Sequence, residues 1–132
     1  MITLTLLENV EHGVPSGNYD GSSLDFASDA ANGPGYYQGY EGSQTVNLRL
    51  VNFQGTIEIQ GTLNQILPTA EVGWVKLTES VVSEPTTLNQ TLTVEGQYNW
   101  VRVRVVDFEN GVIDLVTSSY QIAVPEINWS VN

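Results

Sequence analysis

The chain has 132 residues, 41% of them hydrophobic, with 15 acidic side chains against 4 basic ones, a net charge of −11 and no cysteine. That length bounds it to a single domain over residues 1–132 with one core, and the apolar content excludes a disordered chain. The charge excludes an electrostatic grip on nucleic acid or on an anionic membrane, and the missing cysteines exclude disulfides, thiol catalysis and Cys-ligated zinc.

Short alternating runs of Val, Ile, Thr, Tyr and Trp, with no convincing helical pattern, predict an all-β domain. Residues 2–7 read as a first strand, with Ile2, Leu4 and Leu6 on one face and Thr3 and Thr5 on the other. This start has no basic n-region and alternates like a strand, so it is read neither as a secretory signal nor as a membrane span. From Glu8 to Gly42 the chain is loaded with Gly, Ser, Asn, Asp and Pro, which predicts a long N-terminal loop over residues 8–35 with Leu24 and Phe26 anchoring its middle. Loops of that length are normally functional or held by an ion or a partner. Tyr36, Tyr37 and Tyr40 then lead into the first long strand pattern.

Across Gln44–Leu63 the apolar residues alternate and change phase once: Val46, Leu48 and Leu50 point one way, and beyond Asn52-Phe53-Gln54-Gly55 the inward set becomes Ile57 and Ile59. The phase change predicts a β-hairpin that pairs Leu50 with Ile57, Leu48 with Ile59 and Arg49 with Glu58. Residues 64–70 read as a connection, 71–78 as a strand carrying Trp74, and 80–90 as a polar link containing Pro85. The device then recurs, since Val103–Leu115 copies Leu48–Ile59 with one residue inserted; it predicts a second hairpin with Arg104 beside Asp114 and a turn closed by Gly111. Seven to nine short strands suit an antiparallel two-sheet sandwich, its core at about residues 36–124, followed by a tail from Pro125 to Asn132 that carries Ile127 and Trp129.

No constellation for catalysis emerges. The only histidine, His12, lies in the Gly-rich region without a nucleophile beside it in sequence. There is no phosphate-binding loop, dinucleotide fingerprint or His-pair zinc motif, so the chain is read as a non-enzyme without a cofactor. Asp20, Asp25 and Asp29 are the candidate ligands for a hard cation such as calcium, set against the ordinary use of Asp to cap turns. Tyr36, Tyr37, Tyr40, Ile127 and Trp129 are the candidate partner-binding residues, in the segments that look under-satisfied on their own. Arg49, Glu58, Arg104 and Asp114 are assigned structural roles as cross-strand ion pairs.

The run Gly35-Tyr-Tyr-Gln-Gly-Tyr40, then Gln44-Thr-Val-Asn-Leu48, Asn52-Phe-Gln-Gly-Thr-Ile-Glu-Ile-Gln-Gly-Thr-Leu63, Trp74-Val-Lys-Leu77 and Gly96-Gln-Tyr-Asn-Trp-Val-Arg-Val-Arg-Val105, resembles the small β-sandwich virion structural proteins of tailed bacteriophages, notably contractile-tailed phages of marine cyanobacteria. The likeness covers roughly residues 18–120. It implies a jelly-roll or discoidin-like sandwich acting as a non-enzymatic decorating or accessory subunit of capsid, neck, tail or baseplate. Such a subunit would be made in the host cytoplasm, carried in the virion and bound in multiple copies to other virion proteins. The alternative from a different class is a carbohydrate-binding module of a receptor-binding apparatus, with a glycan as ligand.

Overall fold

A computed structural model describes residues 2–37, 43–68 and 72–120. Apart from one 3-10 turn, Pro34–Tyr37, the regular structure of these described residues is all strand: β1 Ile2–Glu11, β2 Phe26–Ala27, β3 Ala31–Asn32, β4 Ser43–Thr62, β5 Val75–Glu95 and β6 Trp100–Tyr120. They form one antiparallel sheet in the order β1-β6-β4-β5, with β2 and β3 also paired to β6. The described strands are thus joined in a single sheet, where sequence reasoning expected two sheets of short strands.

The central difference from expectation is that neither predicted hairpin turns. β4 runs straight through the phase change, and so does β6. Inward positions of β4 are even-numbered as far as Leu50 and odd-numbered from Phe53, because Val51 and Asn52 both face solvent. Asn52 sits in the left-handed region at φ 49°, and its counterpart in the repeat, Asp107, at φ 54°. Asn and Asp tolerate that conformation better than other side chains with a Cβ, and one extra residue there is a β-bulge, which swaps the faces of everything beyond it while the strand continues. Alternation with a single phase slip is common to a hairpin and to a bulged strand; the pairing of β4 with β5 on one side and β6 on the other selects the second. Gly111 closes no turn either. It lies at φ 93° where the backbone passes Asn52, and a Cβ there would fall 2.2 Å from the Asn52 carbonyl oxygen.

The link expected at 80–90 is likewise strand. Among the described residues β5 pairs only with β4, so Pro85 lies on a sheet edge, where its missing N–H can be tolerated. Of the segment read as an N-terminal loop, Glu8–Glu11 continues β1, while Phe26–Ala27 and Ala31–Asn32 lie against Val105–Arg104 and Val101–Trp100 of β6.

The long strands cannot be straight. Twenty extended residues span about 66 Å, yet Glu95 of β5 lies opposite Ser43 at one end of β4 and Trp100 of β6 opposite Thr62 at the other. Only residues 96–99 join them, a reach of at most about 18 Å. The sheet must therefore double back on itself near the bulges so that its two ends meet. Hydrogen bonds span the fold among the described residues: Tyr120 Oη donates to the Asn32 carbonyl oxygen at 2.7 Å, and Ser80 Oγ donates to Gln90 Oε1 at 2.6 Å.

The core lies inside that fold. Val46, Leu48, Leu50, Ile57, Ile59, Val101, Val103, Val105, Ile113 and Val116 are buried from both halves of the long strands. At the crease the bulges turn Phe53 and Phe108 inward, their rings stacked 5.6 Å apart, and Tyr19 and Phe26 from the N-terminal segment complete the cluster at 5.2 and 6.1 Å from Phe108. Each such side chain contributes about 1.5–3 kcal/mol by leaving water. Phe26 does anchor the segment as expected from sequence, whereas Leu24 is exposed.

Candidate interaction surface

The most distinctive surface lies at the end of the sheet where β4 stops and β5 begins. Its polar backbone is fastened inward. The Asn99 amide donates to the Thr62 carbonyl oxygen at 2.9 Å, the Asn99 side-chain amide to those of Leu63 at 2.7 Å and Asn64 at 3.3 Å, and Trp100 Nε1 to that of Gln65 at 3.2 Å. Just ahead of β5, the Arg102 guanidinium lies over the Trp74 ring, 4.5 Å from its centroid, and donates through Nε to Gln60 Oε1 at 2.7 Å. Trp74 Nε1 is buried with no hydrogen-bond partner among the described residues.

On either side of these anchors apolar side chains are displayed outward: Leu63 is 67% exposed and Ile66 85% after β4, Val72 83% ahead of β5, and Val75 55% at its start. Isolated exposed aliphatics are ordinary, but several gathered within residues 63–75 of a strongly acidic chain make this end of the sheet the candidate contact surface. The 3-10 turn reaches the same end. Gly33 and Gly35 donate to the carbonyl oxygens of Asn99 and Tyr98 at 2.8 and 2.9 Å. A Cβ on Gly35 would fall 2.2 Å from the Gln97 carbonyl oxygen, so the close approach requires glycine.

The backbone of Tyr36 and Tyr37, two of the expected partner-binding residues, is thereby brought beside this surface. Tyr40, Ile127 and Trp129 lie outside the described residues. Sequence reasoning passed over Ile66 and Leu67 as part of a plain connection and placed Leu63 and Val72 in predicted strands; the available signal at 66–67 was apolar residues that follow neither strand nor helix periodicity.

The expected ion pairs are rearranged because the strands run through. Arg49 Nε pairs with Asp114 Oδ2 at 2.5 Å instead of with Glu58, and Glu58 lies opposite Arg104, which approaches Asp25 Oδ2 at 3.7 Å. Arg104 does not take Asp114, as the second hairpin required.

Asp20, Asp25 and Asp29 serve separate local bonds. Asp20 Oδ1 accepts from the amides of Ser22 and Ser23 at 2.9 and 2.7 Å, and Oδ2 from Ser23 Oγ at 2.7 Å. The Ser22 amide is the main cause, with the Ser23 hydroxyl and amide behind it, of a pKa lowered to about 2. Asp25 accepts from the Asp107 amide at 3.1 Å and so supports the β6 bulge, while Asp29 accepts from Asn18 Nδ2 at 2.9 Å. Among the described residues, no three His, Cys, Asp or Glu side chains are grouped as metal ligands. His12 is exposed and meets Phe108 edge-on at 5.2 Å.

On the outer face of the sheet a shallow depression of about 350 Å³ crosses β6, β4 and β5, lined by Asn47, Arg49, Asn89, Gln90, Thr91 and Thr117 among others. Compared with protein-family models, with curated proteins and with solved structures, the chain shows no match.

Proposed function

We propose that this protein is a non-enzymatic structural subunit of a tailed-phage particle, a decorating or accessory component of capsid, neck, tail or baseplate that binds other virion proteins. The observation that carries the assembly role is the stretch after β4, where Leu63 and Ile66 are turned to solvent while the carbonyls of residues 62–65 are tied to Asn99 and Trp100, with Val72 exposed just ahead of β5. A pre-ordered apolar contact of this kind loses little conformational entropy on docking. The virion itself is implied by the resemblance of the strand motifs and by nothing else on the chain. In this reading the doubled-back sheet acts as a two-layer sandwich of the jelly-roll or discoidin-like kind, a rigid platform for the contact.

The test is the double substitution Ile66→Asp/Val72→Asp. The variant should fold and melt like the parent, because both side chains are exposed, yet be depleted from purified particles by quantitative mass spectrometry. Normal incorporation would refute the contact. A second reading, glycan binding, is favoured by the amide- and hydroxyl-lined depression around Asn47, Asn89 and Thr117. A saturable isotherm on a glycan array, abolished by Asn89→Ala/Thr117→Ala, would put that reading first.

A further inference from the structure

The two outer strands of the sheet are treated very differently. β1 carries Glu8 and Glu11, has a register break between Thr5 and Leu7, and places Asn9 at φ 52°. Charges and bulges are the features by which sheet edges avoid further pairing. The N-terminal half of β6 is covered in turn by β2 and β3. β5 has no such protection in its C-terminal half. From Leu88 to Val94 the sequence is Leu-Asn-Gln-Thr-Leu-Thr-Val, without charge, proline or glycine, and its register with β4 is unbroken from Leu50–Leu88 to Gln44–Val94. A regular strand edge about 23 Å long is left with only one neighbour among the described residues. Its inward side chains Leu88 and Leu92 are only half-buried at the rim of the core, where one more strand would cover them.

We infer that the C-terminal half of β5 is a docking edge for a second copy of this chain, which adds its own β5 antiparallel and continues the sheet across a two-fold axis. The charge pattern selects that occupant. Two copies each carrying −11 repel least where neither presents a carboxylate, and Leu88–Val94 sets uncharged residues opposite uncharged ones in any antiparallel register within it. In the register centred on Gln90, Leu88 meets Leu92 of the second copy on the core side and Thr87 meets Thr93 on the outer side, both favourable cross-strand combinations. A two-fold contact is self-complementary and closes on itself, which suits one unprotected edge per chain. The inference rests on the sheet alone and is independent of the virion reading.

The full chain should sediment as a dimer at tens of micromolar, and the dimer should tighten as salt rises, since salt screens the net repulsion and the contact holds no ion pair to lose. Asn89→Lys/Thr91→Lys places two lysines on exposed positions of this edge and should yield a folded monomer, even though it lowers the net charge and with it the overall repulsion. Thr3→Lys/Thr5→Lys on β1 makes the same charge change and should leave the dimer intact. In the unmodified chain, amide exchange across residues 88–94 should slow with rising protein concentration while that of β1 does not, a readout independent of how any variant folds. A monomer persisting to hundreds of micromolar, a dimer indifferent to the β5 lysines, or concentration-independent exchange at 88–94 would overturn the assignment.

Discussion

Val51 and Val112 lie directly opposite one another on β4 and β6, on the outer face, and both are at least partly solvent-accessible. If β4 and β6 are continuous bulged strands, Val51→Cys/Val112→Cys should oxidise to a single intramolecular disulfide, because opposed positions bring Cβ atoms to about 4.5–5.5 Å, within a small adjustment of disulfide geometry. The bond would close a loop of about 60 residues, and loop entropy then gives an upper estimate of about 4 kcal/mol of stabilisation. For a chain of this length that corresponds to a rise in melting temperature of about 15 °C. The assay is clean because the chain has no native cysteine: free thiols are titrated before and after oxidation, and melting is followed by circular dichroism with and without reductant. Two independent hairpins would instead place Val51 beside Thr56. Oxidation of Val51→Cys/Thr56→Cys together with failure of Val51→Cys/Val112→Cys would refute the continuous strands, and with them the doubled-back sheet.

Leu48 and Val103 are buried on facing halves of the core, and Leu48→Ala or Val103→Ala should each cost about 2–4 kcal/mol in chemical denaturation. Arg49→Ala should cost no more than about 1 kcal/mol, since its pair with Asp114 has side chains 56% and 32% exposed; a larger loss would mean that the pair does more than decorate the outer face. The Asp20 carboxyl, titrated by NMR, should show a midpoint near 2. A folded-state pKa below the unfolded value means that its contribution is present at neutral pH, declines as pH falls below about 4, and is gone below about 2. An ordinary midpoint would show that the Ser22 and Ser23 bonds are not formed in solution.

The inward residues of the long strands were legible, because period-two alternation follows from the pleat alone and needs no knowledge of partners. Val46, Leu48, Leu50, Ile57, Ile59, Val103 and Val105 are all buried as their spacing predicts. The meaning of the phase slip was not legible, since local sequence cannot say whether the chain reverses at Asn52 or continues past it. That choice is made by strands remote in sequence. Pro85 misled for the same reason: it ends a central strand but not an edge one, and edge position is a property of topology. In the N-terminal segment the turn residues were read correctly, but two-residue strands are too short to show a period. Tyr19, buried against Phe26 and Phe108, sits among Gly, Asn and Asp that advertise only turns.

The internal repeat gains a different meaning once its two copies are seen paired with each other. Val103–Leu115 does not restate Leu48–Ile59 as a second, separate hairpin; β6 lies antiparallel to β4, so that Arg49 of one copy reaches Asp114 of the other while Arg104 comes opposite Glu58. Each cation therefore faces the acid of the other copy, and the two bulges at Asn52 and Asp107 fall near the centre of the pairing. This is the arrangement of a local two-fold axis between β4 and β6, passing close to the stacked rings of Phe53 and Phe108. Symmetry places the two slips at the same level, while β5, which pairs with β4 across register shifts, keeps its inward residues even-numbered from Ser80 to Val94, because a bulge changes the faces only of the strand that carries it. The two slips turn Phe53 and Phe108 inward together, and their stacked rings fill the crease about which the sheet doubles back.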